Sequence, residues 1–234
     1  MNKRPVVIKV GGSLLALKRL NEELAELIQT VKNHQVVLLT GGGPAVKAYR
    51  KLCEASGIPQ ERAHWHCIQL MCDLTNTLCD TFPNSVAVSS WNEAELAWKS
   101  DRIPWFIVES FLRSDDKQRD HLPHTWDVSS DSIAAHLAIR HEAELILLKG
   151  CALPKRRVTA KALAKRGIVD KWFPRTVTRH FGWSVRNLPG GTVEEIALVL
   201  LEPSKPVPRR RKPRPAPLPR PAKRPAAKRK RPAK

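Results

Sequence analysis

A lysine lies inside an apolar stretch near the N-terminus, and two glycines and a serine follow it closely. Residues 6–15 read VVIKVGGSLL, with Lys9 in the strand-like part and Gly11, Gly12 and Ser13 at its exit. Glycines at a strand exit let backbone N–H groups approach a phosphate, and a helix N-terminus behind them favours the same anion. Lys9 can direct its ammonium group towards that anion. The pattern predicts a phosphate site, although it is neither a Walker loop nor a dinucleotide fingerprint.

A second glycine turn follows the next apolar stretch. Residues 36–43 read VVLLTGGG and end in Gly41, Gly42 and Gly43. If the two stretches are neighbouring strands of one parallel sheet, their exits lie at the same edge, where ligands bind in such sheets. The two turns together predict one site for a polyphosphate and an acceptor.

Two more polar side chains are candidates for the same edge. Asp131 lies in the first turn of a predicted helix within HTWDVSSDSIAAHLA. There it can favour the helix start, behind a serine cap, or it can hold lysines in place. Lys149 ends the apolar stretch ELILLKG, so it can belong to the site or simply leave the core. The residues alone leave these alternatives open.

An acceptor pocket is predicted under residues 60–80. Asp73 and Asn76 are three residues apart on a predicted helix and share a face, so they can meet an ammonium and a hydroxyl group. The alternative is that this face is exposed to solvent. His64 and His66 resemble a metal pair, but no Cys or acidic residue at ligand spacing completes the set, so no metal ligand is assigned.

Apolar runs alternate with helical periodicities along the chain. The runs are apolar throughout, which indicates a mostly parallel sheet covered by helices on both faces. Strands are predicted at 5–10, 35–40, 86–89, 106–108, 144–149 and 185–187, helices at 19–33, 44–56, 60–82 and 130–141, and a last element near residue 201.

The basic excess lies at the C-terminal end. The formal net charge is +19, but residues 203–234 hold 14 Lys and Arg, 10 Pro and no acidic residue, which leaves +5 for residues 1–202. A segment of this composition cannot bury a core, so we expect a disordered tail after a domain at 1–202. Residues 205–234 are expected to contact polyanions or nucleic acid weakly, without reading bases, because no aromatic residue is interleaved.

Cysteine usage and hydropathy bear on the compartment. The five cysteines form no CxxC pair, which indicates free thiols in a reducing, cytoplasmic setting. The chain has no apolar run long enough to cross a membrane, so no membrane span is predicted.

Four motifs, in their order and spacing, resemble the amino acid kinase superfamily. They are VIKVGGSLL, VVLLTGGGPAV, WDVSSDSIAAHLA and LILLKG, and the resemblance covers about residues 5–201. It implies a three-layer αβα sandwich with a mostly parallel central sheet. It also implies an acceptor half at about 1–125, a nucleotide half at about 126–202, ATP with Mg²⁺, and a homo-oligomer.

One stretch narrows the resemblance. LPHTWDVSSDSIAAHLA resembles a branch from methanofuran biosynthesis, whose members use ATP to convert [5-(aminomethyl)furan-3-yl]methyl phosphate to its diphosphate. The resemblance therefore implies an ATP-dependent kinase of this small phosphate. Two alternatives stay open: a kinase of a carboxylate or of another small phosphate, and a non-catalytic nucleotide-binding protein tethered to nucleic acid by its tail.

The motifs also imply roles for single residues. Lys9 would contact the transferring phosphoryl group, and Asp131 would position the lysines. The second catalytic lysine stays open among Lys149, Lys155, Lys161 and Lys171. The predicted catalytic set is Lys9, Asp131 and Lys149. The predicted nucleotide set is Gly11, Gly12, Ser13, Lys149 and Lys171. The predicted substrate set is Gly41, Gly42, Gly43, Asp73, Asn76 and Asp127.

Overall fold

A six-stranded parallel sheet organises the chain. The computed structural model describes residues 5–31, 34–154, 158–177 and 182–187. The strands are β1 (Pro5–Val10), β2 (Gln35–Thr40), β3 (Ser85–Val88), β4 (Ile103–Phe106), β5 (Glu144–Lys149) and β6 (Trp183–Asn187). Their order across the sheet is β3-β4-β2-β1-β5-β6, and every neighbouring pair is parallel. The predicted α/β class is confirmed.

Helices fill the connections between the strands, as parallel pairing requires. They are α1 (Leu20–Thr30), α2 (Gly43–Ala55), α3 (Gln60–Thr81), α4 (Trp91–Lys99), α5 (Val108–Asp115), α6 (Ser130–Arg140), α7 (Ala160–Lys165) and α8 (Phe173–Thr176). Within the described ranges, no helix has the length and apolar character needed to cross a membrane.

The central strand β1 directs alternate side chains into two separate cores. Val6, Ile8 and Val10 pack in the core that contains the apolar residues of α1. Val7 packs in the other core, which contains the apolar residues of α6. Because successive side chains of a strand point to opposite faces, Lys9 lies on the face of Val7, towards α6.

Helix α6 is buried along most of its length. Its alanines, Ala134, Ala135 and Ala138, are fully buried and lie in the same core as Val7 of β1 and Leu147 of β5. Small side chains allow a helix to approach a sheet closely. The start of α6 therefore comes close to the carboxyl ends of β1 and β5.

One predicted strand is displaced in the structure, and two predicted segments lie outside the described residues. The strand predicted at 106–108 is wrong, because β4 is Ile103–Phe106 and α5 begins at Val108. Pairing with β3 fixes this register, with Ser85 opposite Ile103 and Val88 opposite Phe106. The last predicted element, near residue 201, and the tail at 203–234 lie outside the described residues.

Candidate active site

A buried ion triad lies at the carboxyl ends of β1 and β5. The Lys9 ammonium is 3.0 Å from Oδ1 of Asp131, and the Lys149 ammonium donates a hydrogen bond of 2.6 Å to Oδ2. Lys9 and Asp131 are each only 3% exposed. One carboxylate thus holds two lysines, which is the arrangement that would position them for work on an anion.

Burial and charge oppose each other in this triad. Burial lowers the pKa of Lys9 despite the Asp131 carboxylate, and the Lys149 charge lowers it further. Burial by itself would raise the pKa of Asp131, but the charges and hydrogen bonds of the two lysines outweigh it, so this pKa is lowered. The carboxylate therefore stays ionised and offsets the repulsion between the two ammonium groups.

The triad opens into a cavity of about 560 Å³. Residues from both glycine turns line it, as does the loop that follows β5. Within the described part of the chain, its charged lining is strongly cationic, a composition that suits a polyanionic ligand. The charged lining residues are Lys9, Lys47, Arg50, Lys149 and Asp131.

The two glycine turns touch each other. A Cβ atom on Gly12 would lie 2.1 Å from the backbone nitrogen of Gly43, which itself has a φ of +52°. A Cβ atom on Gly41 would lie 2.9 Å from the Lys9 ammonium nitrogen and 2.7 Å from Oγ of Ser130. Only glycine therefore lets the turns and the triad pack this closely, and the exits of β1 and β2 do meet at one edge.

Asp170 is a residue that the sequence analysis missed. Its carboxylate accepts hydrogen bonds from the backbone N–H and the hydroxyl of both Ser129 and Ser132, at 2.6–3.0 Å. It also accepts from the N–H groups of Trp172 and Phe173, at 3.0 and 2.7 Å. Asp170 thereby ties the start of α6, and so Asp131, to the start of α8. The available signal was the sequence DKWFP, in which an aspartate stands shortly before a proline, a pattern typical of a helix start.

Replacing Asp170 with alanine is expected to lower the free energy of unfolding by about 3 kcal/mol, because the N–H groups of the buried residues Ser132 and Phe173 lose their acceptor. Urea denaturation measures this change. Asp127→Ala is the matched control, since Asp127 forms an exposed ion pair with Lys171, worth about 0–1 kcal/mol. Equal stabilities for the two variants would contradict the role given to Asp170.

Two predicted substrate residues face away from the cavity. Asp73 and Asn76 are exposed on α3, and neither is among the residues that line the cavity. The Asp73 carboxylate instead accepts a hydrogen bond from Gln69 on the same helix. The inward face of α3 is set by Ile68 and Met71, which leaves the Asp73 and Asn76 face to solvent. The solvent-exposed alternative is the one that the structure favours.

The structure also separates the lysine candidates. Lys171 is 3.2 Å from Asp127 in an exposed ion pair, and neither residue lines the cavity. Lys161 is exposed on α7, and Lys155 lies outside the described residues. Among the described candidates, Lys149 is the one that contacts Asp131 and lines the cavity.

The cavity carries two cations that the sequence analysis did not single out. Lys47 and Arg50 lie three residues apart on α2, directly after the second glycine turn, and both line the cavity. The Arg50 guanidinium lies 4.7 Å from the centre of the Trp126 ring. His64 also lines the cavity, and burial, aided by the nearby His124, lowers its pKa to about 4. Its imidazole is therefore neutral at ordinary pH.

Comparison with known proteins places this architecture. A model of the amino acid kinase family matches residues 4–100. The chain is similar to the crystal structure of uridylate kinase from Archaeoglobus fulgidus, with 20% sequence identity and a TM-score of 0.52. That match covers 79% of this chain and 90% of the other. This chain has the amino acid kinase fold.

Two further solved structures agree with the amino acid kinase fold. UMP kinase from Bacillus anthracis is 13% identical, with a TM-score of 0.54, over 80% of this chain and 88% of the other. Aspartate kinase from Synechocystis is 13% identical, with a TM-score of 0.50, over 78% of this chain and 38% of the other. A comparison with curated proteins gives no match. At these identities the likeness shows a common fold, and the activity has to be argued from the site.

Proposed function

We propose that this chain is an ATP-dependent phosphotransferase that acts on a small phosphate monoester and produces a diphosphate. The observation that carries the proposal is the Lys9–Asp131–Lys149 triad, which faces a cavity lined by two glycine turns and further cations. The uridylate and UMP kinases, which share the fold, support it, since their named substrate is a phosphate monoester.

The residues of the triad would act by neutralising charge. Transfer between two phosphates brings two polyanions together, and their repulsion is the main obstacle. A phosphate acceptor is already an anion at neutral pH, so no general base is required. Lys9 and Lys149, held in place by Asp131, would offset the charge on the transferring phosphoryl group without having to reorganise.

The nucleotide side would use residues that already face the cavity. The turn at Gly11, Gly12 and Ser13, together with Lys149, would bind the phosphates of ATP. Both carboxylate oxygens of Asp131 face lysines, so this residue is not free to bind a metal directly. Mg²⁺ would therefore be held by the nucleotide phosphates, and it would supply further charge neutralisation there.

The acceptor side would bind the phosphate of the acceptor through Lys47 and Arg50. It would hold a small ring of the acceptor between apolar walls. Trp126, Ile68 and Met71 provide those walls. Within the class of phosphate monoesters we propose [5-(aminomethyl)furan-3-yl]methyl phosphate, on the resemblance carried by residues 122–138. Its amine would meet neutral acceptors of the lining, such as the imidazole of His64, rather than Asp73.

Replacing Arg50 with alanine is expected to raise KM for the acceptor about 10–100-fold with little change in kcat, because a charge-assisted hydrogen bond to the acceptor phosphate is lost. Steady-state kinetics at saturating ATP measures both constants.

Arg113→Ala is the matched control for Arg50→Ala. Arg113 also lies over a tryptophan ring, Trp65, at 4.2 Å. Each arginine pairs with a glutamate one turn away on its own helix, Arg50 with Glu54 and Arg113 with Glu109. It does not line the cavity. A similar rise in KM for both variants would show that the effect is not specific to the acceptor site.

The proposed function is tested by incubating the full chain with Mg-ATP and one acceptor at a time, and by following products with phosphorus NMR. The acceptors are the furan phosphate, UMP, isopentenyl phosphate and aspartate. A new diphosphate signal with any of the phosphate monoesters supports the proposal. If the furan phosphate is the only acceptor that gives this signal, the result supports it as the substrate. Turnover of aspartate alone would indicate a carboxylate kinase.

A non-catalytic protein tethered through its tail is the remaining alternative. A chain lacking residues 203–234 should keep full phosphotransferase activity under the proposal. ATP binding without turnover of any acceptor would indicate a nucleotide-binding role instead. The cytoplasmic location and the homo-oligomer stay predictions.

A further inference from the structure

A group of side chains that could bind a metal ion lies outside the cavity, in the segment that follows α5. Asp116, His121 and His124 each offer one ligand atom, and these atoms lie within 4.8 Å of one another. We propose that these three residues bind a divalent transition metal ion, with Zn²⁺ as the best chemical match. The proposal does not depend on the phosphotransferase activity.

The spacing of the atoms is close to what such an ion needs. Nε2 of His124 is 3.0 Å from Oδ1 of Asp116, and Nδ1 of His121 is 3.7 Å from the same oxygen. Tetrahedral zinc with bonds of about 2.0–2.1 Å separates neighbouring ligand atoms by about 3.3 Å. The two observed distances lie on either side of that value. His121 is exposed, so its ring can turn to complete the set.

A carboxylate behind one histidine supports a metal role. Both oxygens of Glu61 lie 2.8 Å from Nδ1 of His124, on the side of the ring away from Nε2. Metal-bound histidines usually donate their other ring N–H to a carboxylate, which fixes the tautomer and makes the ligand nitrogen more basic. Glu61 is placed to do this for His124.

The types of ligand favour zinc over the harder cations. Two imidazoles and one carboxylate match a borderline metal, whereas Mg²⁺ and Ca²⁺ prefer sites made of oxygen atoms. Three protein ligands leave a fourth position for water. His64 and His66, the pair with metal-like spacing in the sequence, are not members of this group. This group instead joins the end of α5 to the segment before α6.

The proposed ion would stiffen one wall of the cavity. The His124 ring stacks on His64, with ring centres 4.2 Å apart and planes 19° apart, and His64 lines the cavity. The side-chain oxygen of Gln60 accepts a hydrogen bond from the backbone N–H of Trp126, another lining residue. A metal that fixes His124 would hold this segment against α3 and keep His64 in place along the cavity.

The test uses the full chain, stripped of metal with a chelator and free of nucleotide. Co²⁺ is titrated first, followed by Zn²⁺. The expected result is uptake of one equivalent of Co²⁺ with the visible absorption of a tetrahedral site, loss of that absorption when Zn²⁺ displaces it, and a higher Tm with Zn²⁺.

Four variants distinguish a specific metal site from nonspecific binding of the metal to histidine side chains. His121→Ala and His124→Ala should each remove the tetrahedral absorption. Glu61→Gln should weaken Zn²⁺ binding about 10–100-fold while keeping the absorption. His66→Ala is the control, because His66 lies on α3 and forms a hydrogen bond with Tyr49 rather than with the proposed metal ligands. This variant should bind Co²⁺ and Zn²⁺ as the parent chain does.

Two results would overturn the proposal. One is the absence of stoichiometric uptake by the parent chain, which would make the group an ion-pair clasp of His124 with Glu61 and Asp116. The other is uptake that both His121→Ala and His124→Ala leave unchanged.

Discussion

Replacing Lys9 with methionine is expected to lower turnover about 10²–10³-fold while the protein stays folded, because one preorganised cation is lost from the proposed site of phosphoryl transfer. Asp131 keeps Lys149 at 2.6 Å, so no buried carboxylate is left without a partner. Methionine keeps the length and apolar stem of the lysine that packs in the strand. Single-turnover kinetics with ATP and the acceptor measures the effect on the chemical step.

Two controls sharpen this experiment. Lys51 is an exposed lysine of α2 that does not line the cavity. Lys51→Met should therefore leave turnover unchanged. The pH profile adds a second readout. The pKa of Lys9 is lowered, so Lys9 should lose its proton at a lower pH than an ordinary lysine does. Turnover should therefore begin to fall, as the pH rises, before the pH reaches the ordinary pKa of lysine. Unchanged turnover of Lys9→Met would remove Lys9 from the mechanism.

Replacing Asp131 with asparagine is expected to have the largest effect on stability, with a loss of about 3–5 kcal/mol in the free energy of unfolding. The variant leaves the ammonium groups of Lys9 and Lys149 close together without their shared counter-charge. Turnover should fall as well, since nothing then holds the two lysines in place. Urea denaturation near pH 7 measures the stability.

The pH dependence of this variant has a defined sign. Without Asp131, the pKa of Lys9 in the folded chain should fall further below 10.5, the ordinary value expected in the unfolded chain. At pH values between these two pKa values, the unfolded chain binds more protons than the folded one. The stability of Asp131→Asn should therefore rise, relative to the parent, as the pH increases towards the ordinary lysine value. The double variant Lys9→Met with Asp131→Asn should recover part of the loss. A loss of stability that is the same at every pH would contradict this account.

Much of the site could be predicted from local patterns. The apolar runs around Lys9 and Lys149 predicted β1 and β5 at the residues where they occur. The glycines after β1 and β2 predicted that two turns would meet, and Gly12 does lie against Gly43. Strand exits in a parallel sheet share one edge, so these groups had to come together.

Other residues could not be placed from spacing alone. Asp73 and Asn76 share a helix face, but that face is exposed, because Ile68 and Met71 set the inward side of α3. Periodicity identifies a polar face, but which groups then meet a cavity depends on what packs around the helix. For the same reason, spacing alone could not show that Asp127 and Lys171 form an exposed ion pair rather than belonging to the cavity.

The sequence by itself determined that apolar strands alternate with helices, and the edge at which Lys9, Lys149 and the glycine turns converge, because these follow from local periodicity and parallel pairing. Only the tertiary structure decided which lysine joins Asp131, that Asp170 secures the start of α6, and that Asp116, His121 and His124 meet. These contacts join residues from different elements or irregular segments. Their formation depends on how the helices pack on the sheet, and no local pattern encodes that.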